Sequence, residues 1–277
     1  MVKMIRKKIR FLIFFLSFIG SLSWGEVDYT NWLLRITVKN SSEEVDSVLV
    51  KVENQAKDKI RNLVYDREHT VEEFLKNNFK QNLRFQHLRL KITESDRRFL
   101  SDGTVITEYE IPLLGEVLKS LIPETQTVTY LAPLVCPCCK RPWPENFPVP
   151  EGIKLIPLEN EILPKYTGVL IDARDLKIRP AFFPRIITED TQEVYSVNFA
   201  NLGDLSNTGL VRYVSFSDIA LINELVGENP LRITAVKSAG KYLTDIVISN
   251  TAGKSLHGSM HNLLLLEKCK VVVIYNE

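Results

Sequence analysis

Residues 166–196 read YTGVLIDARDLKIRPAFFPRIITEDTQEVYS. The stretch opens on a β-rich apolar run, Val169-Leu170-Ile171, and passes through a polar knot, Asp172-Ala173-Arg174-Asp175. A second apolar run, from Pro180 to Ile187, is bounded by prolines, and Thr188-Glu189-Asp190-Thr191 turns the chain into Val194-Tyr195. Short apolar runs broken by Asp, Pro and Thr read as strands and turns. The stretch therefore predicts the start of a second sheet-based unit, and the rest of the chain is read outward from it.

Upstream, residues 133–164 carry eight prolines, a density that opposes both helix and central strand. This is a linker between an N-terminal unit over 26–132 and a C-terminal unit over 165–277. The N-terminal unit begins with a strand over 27–38. Ser41 and Glu44 make a capping box, and a long amphipathic helix follows from Val45 to about Tyr65. A second helix spans Thr70 to Asn78, with Thr70 as cap. Phe85 to Thr93 reads as a strand, Arg97 to Pro112 as a hairpin about Ser101-Asp102-Gly103, 113–121 as a short helix and 127–131 as extended. Downstream, 198–209 reads as loop, 210–216 as strand and 219–226 as a helix ended by Gly227. Strands at 231–238 and 245–249 follow, then one helix from Asn250 to about Leu266 and a buried closing strand at 270–275. The class is α+β: two domains, each a mostly antiparallel sheet covered by helices.

The first 25 residues stand apart. Lys3, Arg6, Lys7, Lys8 and Arg10 precede an apolar core from Phe11, and Ser23-Trp24-Gly25 places small residues before a cleavage point. That order is a secretory signal peptide, too short in its apolar part to span a bilayer. The expectation is an exported protein, periplasmic or associated with the outer envelope, with no integral membrane segment once the signal is removed. Beyond residue 25 the balance is 30 basic against 34 acidic side chains. A mildly acidic chain lacks the basic footprint of a nucleic-acid binder.

Three cysteines lie in the linker, as Cys136-Pro137-Cys138-Cys139. Cys136 and Cys139 have the C-x-x-C spacing of one zinc-ribbon knuckle, without a second knuckle elsewhere. Export favours a Cys136–Cys139 disulfide instead, and both readings stand. Cys269, in an apolar strand pattern, reads as a buried thiol. Asp172, Arg174 and Asp175 end a strand and are a candidate ligand or interface cluster, or a structural ion pair. Ala252-Gly253-Lys254-Ser255 looks like the end of a phosphate loop, but Ile248 stands where the loop needs glycine. His257 and His261 are four apart with no third ligand in the pattern. No nucleophile elbow or dinucleotide fingerprint is present, and the chain reads as non-catalytic.

Val27-Asp28-Tyr29-Thr30-Asn31, Glu110-Ile111-Pro112-Leu113-Leu114-Gly115, Tyr166 to Arg174 with Pro180-Ala181, and Lys268 to Ile274 occur in that order. In this series the chain resembles bacterial envelope proteins related to flagellar assembly protein T and the small outer-membrane lipoproteins that share its N-terminal domain. The resemblance implies a secreted, non-catalytic α+β protein, in some members part of the flagellar basal structure. Its partners would be envelope proteins or further copies of itself. The chain departs from the lipoproteins in having no cysteine to lipidate, and the resemblance supplies no catalytic residue. A metal- or small-ligand-binding periplasmic protein, using Cys136 and Cys139 or the Asp172/Arg174 strand end, is the alternative.

Overall fold

The computed structural model describes residues 26–40, 45–126, 128, 134–144, 147–158, 165–215 and 219–276. The signal segment, the Ser41–Glu44 capping box and nearly all of 127–131 lie outside them.

The N-terminal part builds β1 (Val27–Asp28), β2 (Leu33–Asn40), α1 (Val45–Asn62), α2 (Val71–Asn77), α3 (Phe79–His87), β3 (Thr93–Phe99), β4 (Val105–Pro112) and α4 (Glu116–Leu121). The strands form an antiparallel sheet in the order β1-β2-β4-β3. Alternation sends Leu34 and Ile36 of β2, and Tyr109 and Ile111 of β4, to one face. On α1, Val48, Val52, Ala56 and Ile60 recur every fourth residue and are buried in the same cluster. Each such side chain contributes about 1.5–3 kcal/mol when fully buried, alanine less. The Thr70 cap of α2 is as predicted and is half of a capping box: Thr70 Oγ1 accepts from the Glu73 amide and Glu73 from that of Thr70.

The strand expected over 85–93 is corrected. Phe85 is the fully buried end of α3, with the Arg61 guanidinium 5.4 Å from its ring centre. Leu88, Leu90 and Ile92 do alternate and press on the core, but they belong to no strand. Alternation reports burial, and a strand also needs a partner. Within the proline-rich stretch, β5 (Leu134–Val135) and β6 (Ile156–Pro157) form a two-stranded antiparallel pair.

The C-terminal part contains β7 (Val169–Asp172), β8 (Ile186–Thr188), β9 (Glu193–Tyr195), α5 (Leu202–Thr208), β10 (Arg212–Val214), α6 (Ile219–Val226), β11 (Leu231–Thr234), β12 (Lys237–Ala239), β13 (Asp245–Ile248), α7 (Asn250–His257), α8 (Met260–Glu267) and β14 (Val271–Ile274). One sheet, β10-β14-β7-β11, is parallel at every junction. The other, β12-β13-β8-β9, is parallel only between β13 and β8. The α+β class holds, while the mostly antiparallel sheet expected for this half is corrected. Val271 to Ile274 and Val169 to Ile171 are buried at every position. Unbroken apolar strands of this kind suit a parallel sheet covered on both faces.

The strand read over 27–38 is two, β1 and β2, and that read over 231–238 is also two, β11 and β12, in different sheets. The loop over 198–209 contains α5, whose Leu-Gly-Asp-Leu-Ser-Asn-Thr composition hides it; Asn201 caps it by accepting from the Gly203 and Asp204 amides. The single helix after Ser249 is two, because Gly258 breaks it and Ser259 caps the second by accepting from Asn262.

One buried cluster takes residues from both sides of the proline-rich stretch. Trp32 on the β1–β2 turn stacks on Phe182 with centroids 5.1 Å apart, and its indole N–H donates to the Val211 carbonyl at 3.3 Å. Thr30 Oγ1 donates to Tyr213 O, and Arg212 Nη1 to Thr30 O. The Phe182 and Phe183 amides donate to Val64 and Tyr65 carbonyls. Gly209 allows this approach: a Cβ there would lie 3.1 Å from the Trp32 indole nitrogen, on a backbone with φ of +78°.

Candidate functional site

The connection from α1 to α2 projects polar residues toward the C-terminal half. Asp66 Oδ1 accepts from the amides of Glu68 and His69 and from His69 Nδ1, so the turn holds its own imidazole. Beneath it Tyr65 stacks on Phe74 at 3.9 Å and lies against Phe183 at 4.9 Å. The Tyr65 hydroxyl donates to Leu121 O, and burial raises its pKa far beyond the physiological range. These residues, with Arg67, Arg185, Glu193, Ser196 and Asn198, line a groove of about 460 Å³ where the two halves meet.

Behind the groove stands Asp245, a carboxylate with no solvent exposure at the head of β13. Its Oδ2 receives Arg185 Nη2 at 2.7 Å and Nε at 3.2 Å, with Arg67 Nη1 at 3.5 Å. Burial is the largest influence on Arg185 and would lower its pKa, but the Asp245 bond and the charges of Asp245, Glu193 and Asp66 together raise it, and the guanidinium is held charged. Arg67 and Arg185 also line a second pocket of about 240 Å³, with Thr188, Glu189 and Lys237 on its walls. Together the walls offer both charge signs over an aromatic floor. Among the described residues no hydroxyl or thiol hydrogen-bonds His69; its ring partner is Asp66.

The structure brings two of the three strand-end residues together. Arg174 donates through Nε to Asp172 Oδ1 at 2.9 Å and through Nη2 to Oδ2. That bond holds the Asp172 carboxyl below its usual range. Asp175 is exposed on the following turn. The end of β7 is otherwise closed by its neighbours: Ala173 donates to Ile274 O, Ala235 to Asp172 O, and Asn276 Nδ2 to Arg174 O.

Cys136, Cys138 and Cys139 are free thiols in the structure, so the expected Cys136–Cys139 disulfide is not formed there. Backbone N–H groups of Cys139 and Cys138 bond the Cys136 sulfur and hold its pKa below the ordinary thiol value. Among the described residues no three His, Cys, Asp or Glu side chains gather as a metal site. His257 and His261 diverge: each bonds a carbonyl, Val194 O at 2.7 Å and Tyr166 O at 2.6 Å. Lys254 is exposed on α7. Cys269 is buried as expected, beside Tyr195, and burial pushes its thiol up to about 11.

Sequence reasoning passed over Asp66, Arg67, His69, Arg185 and Asp245. One signal was present: Asp245 heads an otherwise apolar strand, and a carboxylate there must find a partner when it is buried.

The architecture defines an α+β protein whose C-terminal half is centred on a short parallel sheet. Over residues 168–277, beginning immediately before β7, the chain matches the family model described as Treponema pallidum Tp0624, second domain. No protein with a curated description matches it.

Proposed function

We propose that this chain is a secreted, non-catalytic structural or interaction protein of the bacterial envelope, periplasmic or held at the outer envelope. Its association with flagellar basal structures is the part of the proposal that rests on the sequence resemblance alone. The observation that carries the reading is how the candidate chemical groups are used. Asp245 is bonded to Arg185 and Arg67, Asp172 to Arg174, Asp66 to His69, and Glu73 to Lys241 and Tyr242. The Asp245 and Glu73 bonds tie the N-terminal half to the C-terminal one; they fix a shape. The basic leader followed by an acidic chain supports export. Among the described residues no helix is long and apolar enough to cross a membrane.

The test is co-sedimentation of the untagged protein with purified envelope fractions and with isolated flagellar bases. Pelleting with either supports an interaction role, and enrichment on the bases selects the flagellar association. Recovery wholly in the soluble fraction, at every salt concentration tried, refutes it.

A further inference from the structure

The thiols outside the core have a geometry of their own. From β5 the chain enters a tight turn at 136–140. The Lys140 amide donates to Cys136 O at 2.9 Å, and the Cys136 amide to Arg141 O at 3.0 Å. Val135 bridges Pro142, and the Trp143 amide closes the hairpin on Leu134 O at 2.7 Å. Lys140 turns the chain with a left-handed φ of 60°. The turn thus fixes the C-x-x-C pair between two backbone hydrogen bonds. Thiolates at that spacing can ligate a soft cation.

The described residues supply only part of such a site. A structural zinc takes four ligands in a tetrahedron, and thiolates select it over the hard cations. Two sulfurs at C-x-x-C spacing fill two positions, and no described side chain joins them as a third. The turn is at the surface: Cys138 and Cys139 are exposed and Cys136 is half-buried. Nearby, Trp143 donates its indole N–H to Phe147 O, and Phe147 and Val149 stay 62% and 44% exposed. Zinc with four thiolates carries a net charge of about −2, which needs compensation. Lys140 and Arg141 follow the sulfurs directly in sequence. A two-fold axis through the metal would bring two sulfurs, one Lys140 and one Arg141 from each copy, and would let the exposed apolar residues meet.

We propose that the Cys136–Cys139 turn is half of a tetrahedral zinc–thiolate site that the same turn of a second copy completes. This names a second copy as the partner, and so rests on the interaction role in the proposed function and not on its location. The metal enters as Zn²⁺, the thiols leave their protons to solvent, and no electron is transferred.

The experiment uses the purified chain kept reduced, titrated with zinc chloride and followed by sedimentation equilibrium and metal analysis. The mass should double at one zinc per two chains and return to the monomer value on addition of EDTA. Cobalt(II) in place of zinc should give the absorption of tetrahedral thiolate ligation. Cys139→Ser should abolish both effects, whereas Cys269→Ser, which alters a thiol in the core, should leave both intact. One zinc per chain with the mass unchanged would overturn the proposal. So would absence of zinc binding, or a dimer that survives EDTA or Cys139→Ser. A chain that pellets with envelope but stays monomeric in zinc would refute this inference alone. A zinc dimer missing from every envelope fraction would refute the location alone.

Discussion

Two buried side chains show how little separates a structural group from a liability. The His257 ring is buried, and its Nε2–H donates to Val194 O at 2.7 Å. Burial lowers its pKa below the ordinary 6.5, although the Val194 bond works the other way. The unfolded chain therefore binds a proton before the folded one does. The stability this neutral ring contributes is complete above pH 6.5 and is lost as pH falls through the lowered folded value. Urea melts at pH 5 and 7.5 should show a loss on acidification that His257→Gln reduces; an identical pH dependence in the variant would dismiss the role. Asp245 poses the opposite problem, a buried charge that must stay charged. Asp245→Asn keeps the shape and leaves Arg185 without its counter-ion, at a cost of about 1–3 kcal/mol. An unchanged denaturation midpoint would show that the two arginines do not depend on it. Neither residue announced its partner in the sequence: Val194 and Arg185 are each some sixty positions away in the chain. A lone charge in an apolar strand signals that a partner exists but does not say which residue it is.

At the scale of elements, what could be read was what is local. α1 was legible because its apolar residues repeat at the helical period, and the sheet beneath it accepts that stripe. Val52→Asp should bury an unpaired carboxylate and cost several kcal/mol, while Val50→Asp, on a side chain 61% exposed, should cost under about 1 kcal/mol. Equal melting shifts for the two variants would mean that the helix packs on another face. The hairpin read over 97–112 was legible from its Asp-Gly turn, although β3 begins four residues earlier, at Thr93. α5 was not, since glycine, serine and asparagine disfavour helix and only packing decides for them. Strand direction was not legible either. Val169 pairs with Leu231 and Val271, and no property of a Val-rich run says whether its distant neighbours run with it or against it. The unbroken apolar character of β14 was the available hint, because antiparallel sheets with one wet face alternate instead.

For the molecule as a whole, the join between the halves decides how it melts. The candidate site was illegible for the same reason that the join was: both are made by residues more than a hundred positions apart, such as Arg67 with Asp245 and Trp32 with Val211. Because the two halves share one core, Trp32→Ala should cost about 3–5 kcal/mol and lower a single thermal transition. Two separate calorimetric transitions, only one of them moved, would show that the halves fold independently. The position of β14 adds a matter of timing. It lies between β10 and β7, so the parallel sheet has a gap at its middle until residues 271–274 arrive. A chain made from its N-terminus holds β7 and β10 as open edges for all of that time, and loop closure over such distances is slow. In the export proposed for this chain the delay is useful: the keystone is placed late, and the chain remains pliable while it is still in transit.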